Sequence, residues 1–322
     1  MLKVVYERPV LIIDALNVFI RHYAANPSMN ESGEHVGGFL GFLRNIELLC
    51  ERTNPCEVIV VWEGGGSPRR RSVLSTYKDR RRPMKMNRYY GDEIPDTLEN
   101  RNKQISLCVE TLGFTGCKQI YVQDCEADDV ICRIVKYSRP DKRKVIISSD
   151  QDLYQLLGSK TIQWSPGQKA FVTPKTVVDK FGISVENFCT ARSFIGDSSD
   201  KITGVRGAGF TSMAKRFPEL ASNSHVSVKE VIDLAKQRVE NKKLKLFENI
   251  IASSADAFRN WKLMYLDTNN MSATQIQLID EKIQKKAPLP NKMELLKVFR
   301  RENIKNFNVD SFFITLKAID RN

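Results

Sequence analysis

Nine acidic side chains in this sequence could act together chemically: Asp14, Glu63, Glu126, Asp128, Asp129, Asp150, Asp152, Asp197 and Asp200. Gathered into one cleft, that many carboxylates cannot all stay ionised, because mutual repulsion and desolvation protonate some of them unless cations are bound. Hard divalent ions such as Mg2+ and Mn2+ prefer oxygen ligands, so carboxylates suffice and neither cysteine nor histidine is needed. Two such ions roughly 4 Å apart can generate an attacking hydroxide and stabilise both the attacking and the leaving oxygen of an in-line displacement at phosphorus. The chemistry such a set supports is phosphodiester hydrolysis. Any one of these acids alone is better read as a helix cap or a solvated surface group; their joint placement reverses that reading.

That placement follows from the elements around them. Four short runs rich in Val and Ile, at 9–13, 57–62, 119–122 and 144–148, have the length and composition of buried strands and alternate with helical patterns. This predicts an α/β fold with a mainly parallel central sheet flanked by helices. Each run is followed within a few residues by acids of the set. In open α/β sheets the ligand crevice lies beyond the carboxyl ends of the strands, so four strands would deliver carboxylates to one place.

Between the second and third runs, residues 69–90 (RRRSVLSTYKDRRRPMKMNRYY) hold nine basic residues against one acid. Such repulsion predicts an exposed, mobile element. A charge run is usually a solvated face, but interleaved tyrosines make contact with nucleic acid the better reading. The whole chain agrees: 50 Lys and Arg against 38 Asp and Glu give a formal charge of +12 over 322 residues, which favours a polyanionic partner. The longest apolar runs are far too short for a bilayer, and the start of the chain has no signal-peptide pattern, so a soluble intracellular protein is expected. Seven scattered cysteines without a CxxC pair, and three histidines, argue for free thiols and against a zinc site.

Further along, 161–164 and 169–172 read as a hairpin, and helical patterns cover 174–181 and 184–194. The segment GVRGAG (204–209) interrupts helical sequence as a glycine turn. Helices continue from about 226, with a break at 287–290 (APLP) and no internal repeat. Two domains are expected: an α/β unit over 1–182 that includes a basic arch at about 69–105, and a helical unit over 183–322 that includes the turn at about 196–217.

The ordered motifs LIIDALN (11–17), VVWEGG (60–65), YKDRR (77–81), EADD (126–129), SSDQDLYQLL (148–157) and GDSSDKITGVRGAG (196–209) resemble the structure-specific 5′ nuclease family. That family includes flap endonucleases and the 5′ nuclease domain of bacterial DNA polymerase I. Through IISSDQD, IQWSPGQKAFV and the helical tail, the chain is most similar to the branch that holds the ribonuclease H of T-even bacteriophages. The resemblance implies a PIN-like 5′ nuclease fold and two Mg2+ ions, replaceable by Mn2+. It places Asp14, Glu63, Glu126, Asp128 and Asp150 near the first ion and Asp152, Asp197 and Asp200 near the second, with Asp129 and Glu126 supporting either. Glu63 is a departure, standing where the family has aspartate.

The basic segment resembles the family's helical arch. There Lys78, Arg81 and Arg70 would bind the scissile phosphate and stabilise transition-state charge. Arg69, Arg71, Arg80, Arg82, Lys85 and Arg88 would guide a single strand, and Tyr77, Tyr89 and Tyr90 would stack on its bases. The glycine turn resembles the helix-hairpin-helix-like motif that grips duplex DNA. Gly204, Gly207 and Gly209 would let the backbone approach a phosphate, Ser212 would keep the hydroxyl position, and Lys215 or Arg216 would supply the charge. Thr211 replaces a common lysine there, and the turn would hold a K+ ion.

The activity implied is Mg2+-dependent 5′ to 3′ exonuclease and flap endonuclease cleavage of RNA primers or DNA flaps in replication. The expected partners are branched or 5′-ended DNA, RNA–DNA hybrid, a single-stranded-DNA-binding protein and a sliding clamp, for a monomer in the cytoplasm of a bacterial host. Ser311-Phe312-Phe313 lacks the glutamine of a clamp-binding motif and is read as core. Glu63 and the altered turn motivate the rival reading of a junction-binding protein with weak or lost catalysis. A single-strand ribonuclease of the PIN type ranks last, because such domains lack the arch and the turn.

Overall fold

The computed structural model describes residues 7–79, 98–241 and 243–319. Its six-stranded sheet holds β1 (Val10–Asp14), β2 (Glu57–Trp62), β3 (Lys118–Tyr121), β4 (Lys144–Ile147), β5 (Thr161–Ser165) and β6 (Ala170–Val172) in the order β3-β2-β1-β4-β5-β6. The first five strands run parallel, and β6 returns antiparallel to β5 as the expected hairpin. The Val- and Ile-rich runs form these strands because both sheet faces are covered and a β-branched side chain packs well on either.

The helices that concern the site are, in chain order, α1 (Ala15–Ala25), α2 (Gly37–Thr53), α3 (Pro68–Val73), α4 (Leu98–Leu112), α5 (Ala127–Arg133), α6 (Pro174–Phe181), α7 (Phe188–Ile195), α8 (Phe210–Arg216), α9 (Val228–Asn241), α10 (Lys245–Ala252), α11 (Ser254–Met264), α12 (Ala273–Gln284), α13 (Lys292–Arg301) and α14 (Val309–Lys317). The expected break falls between α12 and α13. No helix among the described residues is long and apolar enough to cross a membrane. All seven cysteines are free.

Two-residue periodicity sorts each strand between two cores. Leu11, Ile13, Val58, Val60 and Ile147 face a core built with α1, α2 and α4, while Val10, Ile12, Ile59, Val61 and Ile146 face one built with α5. The chain's last helices return to this sheet. Leu295, Val298 and Phe299 of α13 and Phe312 and Leu316 of α14 complete the first core, and Ile279 and Ile283 of α12 complete the second. Phe312 is fully buried, in keeping with the reading of Ser311-Phe312-Phe313 as core. A third cluster joins Phe188 and Phe194 of α7 to Met213 of α8, Val231 of α9, Ile250 of α10 and Ala257 of α11.

The strand order reverses direction between β1 and β4, since the chain moves outward through β2 and β3 on one side and through β5 on the other. At such a switch point the connections leave in opposite directions and open a crevice beyond the carboxyl ends. Asp14 ends β1, and Asp150 lies three residues beyond β4, so the switch point carries two members of the acidic set.

Candidate active site

The crevice is assembled by short polar contacts between strand ends. Ser148 Oγ donates to Asp14 Oδ2 at 2.8 Å, and the Asp150 amide donates to Ser148 Oγ at 3.0 Å, which ties the β1 and β4 exits together. Asp14 Oδ1 also accepts the Asn17 amide at 3.3 Å and so caps α1. Gln163, fully buried on β5, donates to the carbonyls of Ser148 and Asp150 at 2.7 and 2.8 Å and fixes the Asp150 loop from below.

On the other side, Glu63 follows β2 and accepts the amides of Gly66 at 3.1 Å and Ala127 at 3.3 Å, one on each oxygen. This contact depends on Gly64, where an added Cβ would stand 1.7 Å from the Val122 carbonyl oxygen. Backbone on both sides leaves nothing that can give way. Gly64→Ala is therefore expected to cost roughly 2–4 kcal/mol of stability and to lower Tm in a calorimetric scan; an unchanged Tm would contradict this packing.

The first turn of α5 shows why neighbouring acids take different jobs. Successive helical residues point about 100° apart. Asp129 turns back to Arg70, which grips it through two bonds of 2.5 and 2.8 Å, while Asp128 lies within electrostatic reach of Asp150 and Asp14. Arg70 also donates to Glu126 Oε2 at 3.2 Å and to the Leu263 carbonyl of α11 at 2.7 Å. It is 2% exposed. The described part of the segment is largely exposed, but the expectation of Arg70 poised for a phosphate is corrected: its guanidinium is bonded to α5 and α11, because three buried acceptors outweigh the repulsion among its basic neighbours.

Tyr77 is corrected in the same way. Its ring is buried with Cys189, Ile202, Leu263 and Met264, and its hydroxyl donates to Glu126 Oε2 at 3.1 Å, so no face is presented to a base. Lys78 stays at the rim. Its backbone is left-handed (φ 54°), its amide donates to the Asp200 carbonyl at 3.2 Å, and its Nζ lies 2.7 Å from Glu126 Oε2 and 3.8 Å from Asp200 Oδ2.

Arg69 reaches the carbonyls of Asn269 and Met271, and Arg71 is exposed. Arg80, Arg81, Arg82, Lys85, Arg88, Tyr89 and Tyr90 lie outside the described residues.

The third part of the rim comes from the loop after α7, where Asp197 and Ile202 exchange backbone hydrogen bonds of 2.8 and 2.7 Å. Arg192 of α7, which sequence reading missed, donates to Asp152 Oδ1 at 3.1 Å, Asp197 Oδ2 at 2.5 Å and the Gly196 carbonyl at 3.0 Å. Its only sequence signal is its place in the last turn of α7, five residues before Asp197.

The electrostatics are those of crowded acids. Burial, with the charge of Asp150 adding to it, pushes the Asp14 and Asp152 carboxyls up to about 7 and the Asp128 carboxyl well above the usual range. Burial likewise raises Asp150 and Glu63. Glu126 behaves differently: burial works to raise it, but Lys78 and Arg70 outweigh burial and hold it below the ordinary carboxylate value.

As the side chains stand, no group of three or more His, Cys, Asp or Glu among the described residues is arranged to hold a metal ion. Like charges spread the set, and arginines occupy part of it. The donor set still fits a hard cation on two counts. The carboxyls of Asp14, Asp128 and Asp150 repel one another with no ion pair among the described residues, and Glu126 Oε1 is buried without a hydrogen-bond partner while Oε2 accepts three donors.

In the glycine turn, an added Cβ at Gly204 would stand 1.9 Å from the Ile195 carbonyl oxygen, so this glycine serves backbone packing against α7. At Gly207 and Gly209 an added Cβ would meet only ordinary van der Waals contacts at 3.9 Å, and Gly207 is held instead by its left-handed backbone (φ 87°). Ser212 Oγ, 2.8 Å from the Gly209 amide and from the Gly207 carbonyl, closes the turn at the start of α8, which also carries Lys215 and Arg216.

An acid-lined crevice at the switch point of a parallel sheet, beside a buried arginine–lysine cluster and a glycine turn, is the architecture of a 5′ nuclease. The chain belongs to the 5′-3′ exonuclease family, whose model for the N-terminal resolvase-like domain matches residues 9–182. It is 27% identical over 215 residues to the thermostable DNA polymerase I of Thermus thermophilus, covering 66% of this chain but 24% of the polymerase. It is 24% identical over 246 residues to a 5′-3′ exonuclease of Buchnera aphidicola, covering 74% of this chain and 81% of that one.

Among solved structures, the bacteriophage T5 flap endonuclease in a pseudo-enzyme–product complex with DNA and metal ions superposes with a TM-score of 0.67 at 22% identity, covering 90% of this chain and 99% of that one. The catalytic core of Rad2 with a DNA substrate gives 0.52 at 15% identity, covering 98% and 93%. These likenesses show the shared fold.

Proposed function

We propose that this chain is a divalent-metal-dependent, structure-specific 5′ nuclease that hydrolyses phosphodiester bonds in 5′ flaps and RNA-primed DNA during replication. The observation that supports it most is the meeting of acids from the β1, β2 and β4 exits and the start of α5 at one rim, with a bare Glu126 oxygen and the Lys78 ammonium among them. Asp14, Glu126, Asp128 and Asp150 would hold one Mg2+, and Asp152 and Asp200 a second, with Mn2+ able to replace either. A bound pair of ions supplies an acidified water and the charge that stabilises attacking and leaving oxygens.

The protein's own groups do the rest. Lys78, kept charged by Glu126, offers a fixed cation to the scissile phosphate. Ser148 and Gln163 hold Asp14 and the Asp150 loop in place, and Arg70 locks α5 so that Asp128 keeps its aim. The open side of the glycine turn, with Lys215, faces the backbone of duplex DNA, and the segment that includes Arg69, Arg71, Arg80, Arg81, Arg82, Lys85 and Arg88 guides the single strand. A K+ ion at the turn would have to use second lone pairs, since the carbonyls of Val205, Arg206 and Gly207 already accept hydrogen bonds.

The division into a catalytic unit over 1–182 and a helical unit over 183–322, whose α12, α13 and α14 pack back onto the catalytic sheet, belongs to this reading, as do the kinship with the T-even phage ribonuclease H and partnership of a monomer with a single-stranded-DNA-binding protein and a sliding clamp. The chain spans 24% of the length of the polymerase I it matches, so the substrates of the whole polymerase are not carried over.

A 5′-labelled flap and an RNA–DNA hybrid, titrated with Mg2+, test the proposal. Cleavage near the junction that is abolished by EDTA is expected; no product at any metal or salt concentration sinks it. A second reading, junction binding with weak turnover, is favoured by Glu63, whose two oxygens each already accept a backbone amide. Tight flap binding with a rate that rises in Glu63→Asp would support it.

A further inference from the structure

Arg192 stands between two acidic loops that the chain brings together from far apart, the Asp150–Asp152 loop after β4 and the Asp197–Asp200 loop after α7. Asp197 is fully engaged. Its Oδ2 takes Arg192 Nη2 at 2.5 Å, and its Oδ1 takes the amide and hydroxyl of Ser199 at 2.8 and 2.6 Å. Asp152 is engaged by half: Oδ1 takes Arg192 Nε at 3.1 Å, and Oδ2 has no hydrogen-bond partner among the described residues.

The guanidinium is itself held, because its third contact is the Gly196 carbonyl and its helix is pinned by the fully buried Asn260, which donates to the carbonyls of Ser193 and Thr203 at 3.0 and 2.8 Å. A planar fork fixed at three points has no freedom to leave. The charge on Arg192 is favoured by both aspartates despite burial, and Asp197 is held below the ordinary carboxylate value by Ser199 and Arg192 against burial. The Arg70 cluster repeats the scheme, with Asp129 as the doubly bonded anchor and Glu126 as the partner that keeps one oxygen bare.

We propose that Arg192 is the resident counter-ion and positioning residue of the second acidic cluster: anchored on Asp197, it fixes Asp152 by one oxygen and leaves the other for a divalent cation. This rests on the metal-dependent reading above. Asp197 then acts through Arg192, not as a ligand. Two consequences separate this role from simple packing. Without metal, Arg192 is the charge that keeps Asp152 and Asp197 together, so its loss leaves repulsion that a bound cation can relieve. With metal, Arg192 repels the incoming ion, so its loss tightens binding.

The test uses the full chain without substrate, comparing wild type, Arg192→Gln, Arg192→Lys and the double variant Arg192→Gln/Asp197→Asn. Thermal unfolding with and without Mn2+ and Mn2+ binding by electron paramagnetic resonance are the readouts. In Arg192→Gln, the metal-free Tm is expected to fall by roughly 3–5 °C. Saturating Mn2+ should recover most of that loss, and Mn2+ should bind about three- to tenfold more tightly than in wild type.

Arg192→Lys, which keeps the charge and loses the fork, should restore the wild-type Mn2+ affinity. The double variant should bind as many Mn2+ ions as wild type. A Tm loss in Arg192→Gln that Mn2+ leaves unchanged makes Arg192 a packing residue and overturns the proposal, as does loss of a Mn2+ site in the double variant, which would make Asp197 a ligand. Failure of wild type itself to bind Mn2+ would overturn the metal reading and this inference with it.

Discussion

Asp150→Asn is expected to lower the single-turnover rate of flap cleavage by about 10³-fold or more, while flap binding measured in Ca2+ changes little. Asp150 is the hub of the acidic set: its charge acts on Asp14, Asp128 and Asp152 at once, so it borders both clusters of carboxylates. Removing that charge while keeping the shape leaves the Asp152 amide with an acceptor in the asparagine oxygen, which preserves the loop held by Gln163. Loss of a preorganised charge at a hydrolytic centre typically costs about two to three orders of magnitude, and a residue shared by two ion positions should lie at the upper end or beyond. A rate within tenfold of wild type would remove Asp150 from the centre and, with it, the switch-point argument.

Arg70→Met is expected to be the most destabilising single substitution near the site, by about 3–5 kcal/mol, because it strands the buried Asp129 carboxylate and frees Glu126. The corresponding fall in Tm is roughly 4–7 °C for a chain of this size. The interaction is specific enough for a double-mutant cycle: Arg70→Met with Asp129→Leu should recover much of the loss, since a well-packed apolar pair removes both stranded charges. Additive losses in the double variant would show that Arg70 acts through α11, by its bond to the Leu263 carbonyl, more than through Asp129. Denaturant melts followed by circular dichroism decide between these outcomes.

Much of the fold was legible along the chain. The Val- and Ile-rich runs became β1 to β4 because a strand covered on both faces needs apolar side chains in sequence, a local property that survives translation into tertiary structure. The hairpin and the break at 287–290 were legible for similar reasons, since turn chemistry and proline act on neighbouring residues. The basic segment was misjudged where its partners were distant. Arg70 finds Asp129 59 positions away and Leu263 193 positions away, and Tyr77 finds Glu126 49 positions away. No local charge count could reveal acceptors that only folding brings near. The same holds for α12, α13 and α14, whose apolar faces signalled burial but not that they would pack against the two faces of a sheet formed by the first half of the chain.

The acids divide along the same line. Sequence by itself determined that carboxylates stand at the ends of successive strands, since strand length and the parallel arrangement are properties of pattern, and this is enough to place them at one edge of the sheet. Tertiary structure alone decided how each acid is used: Asp129 and Asp197 are given to Arg70 and Arg192, Glu126 keeps one bare oxygen, and Asp14, Asp128 and Asp150 crowd the crevice. The physical reason is that a carboxylate's role depends on which charges and donors lie within a few ångströms, and those neighbours are set by side-chain direction and by contacts between segments remote in the chain.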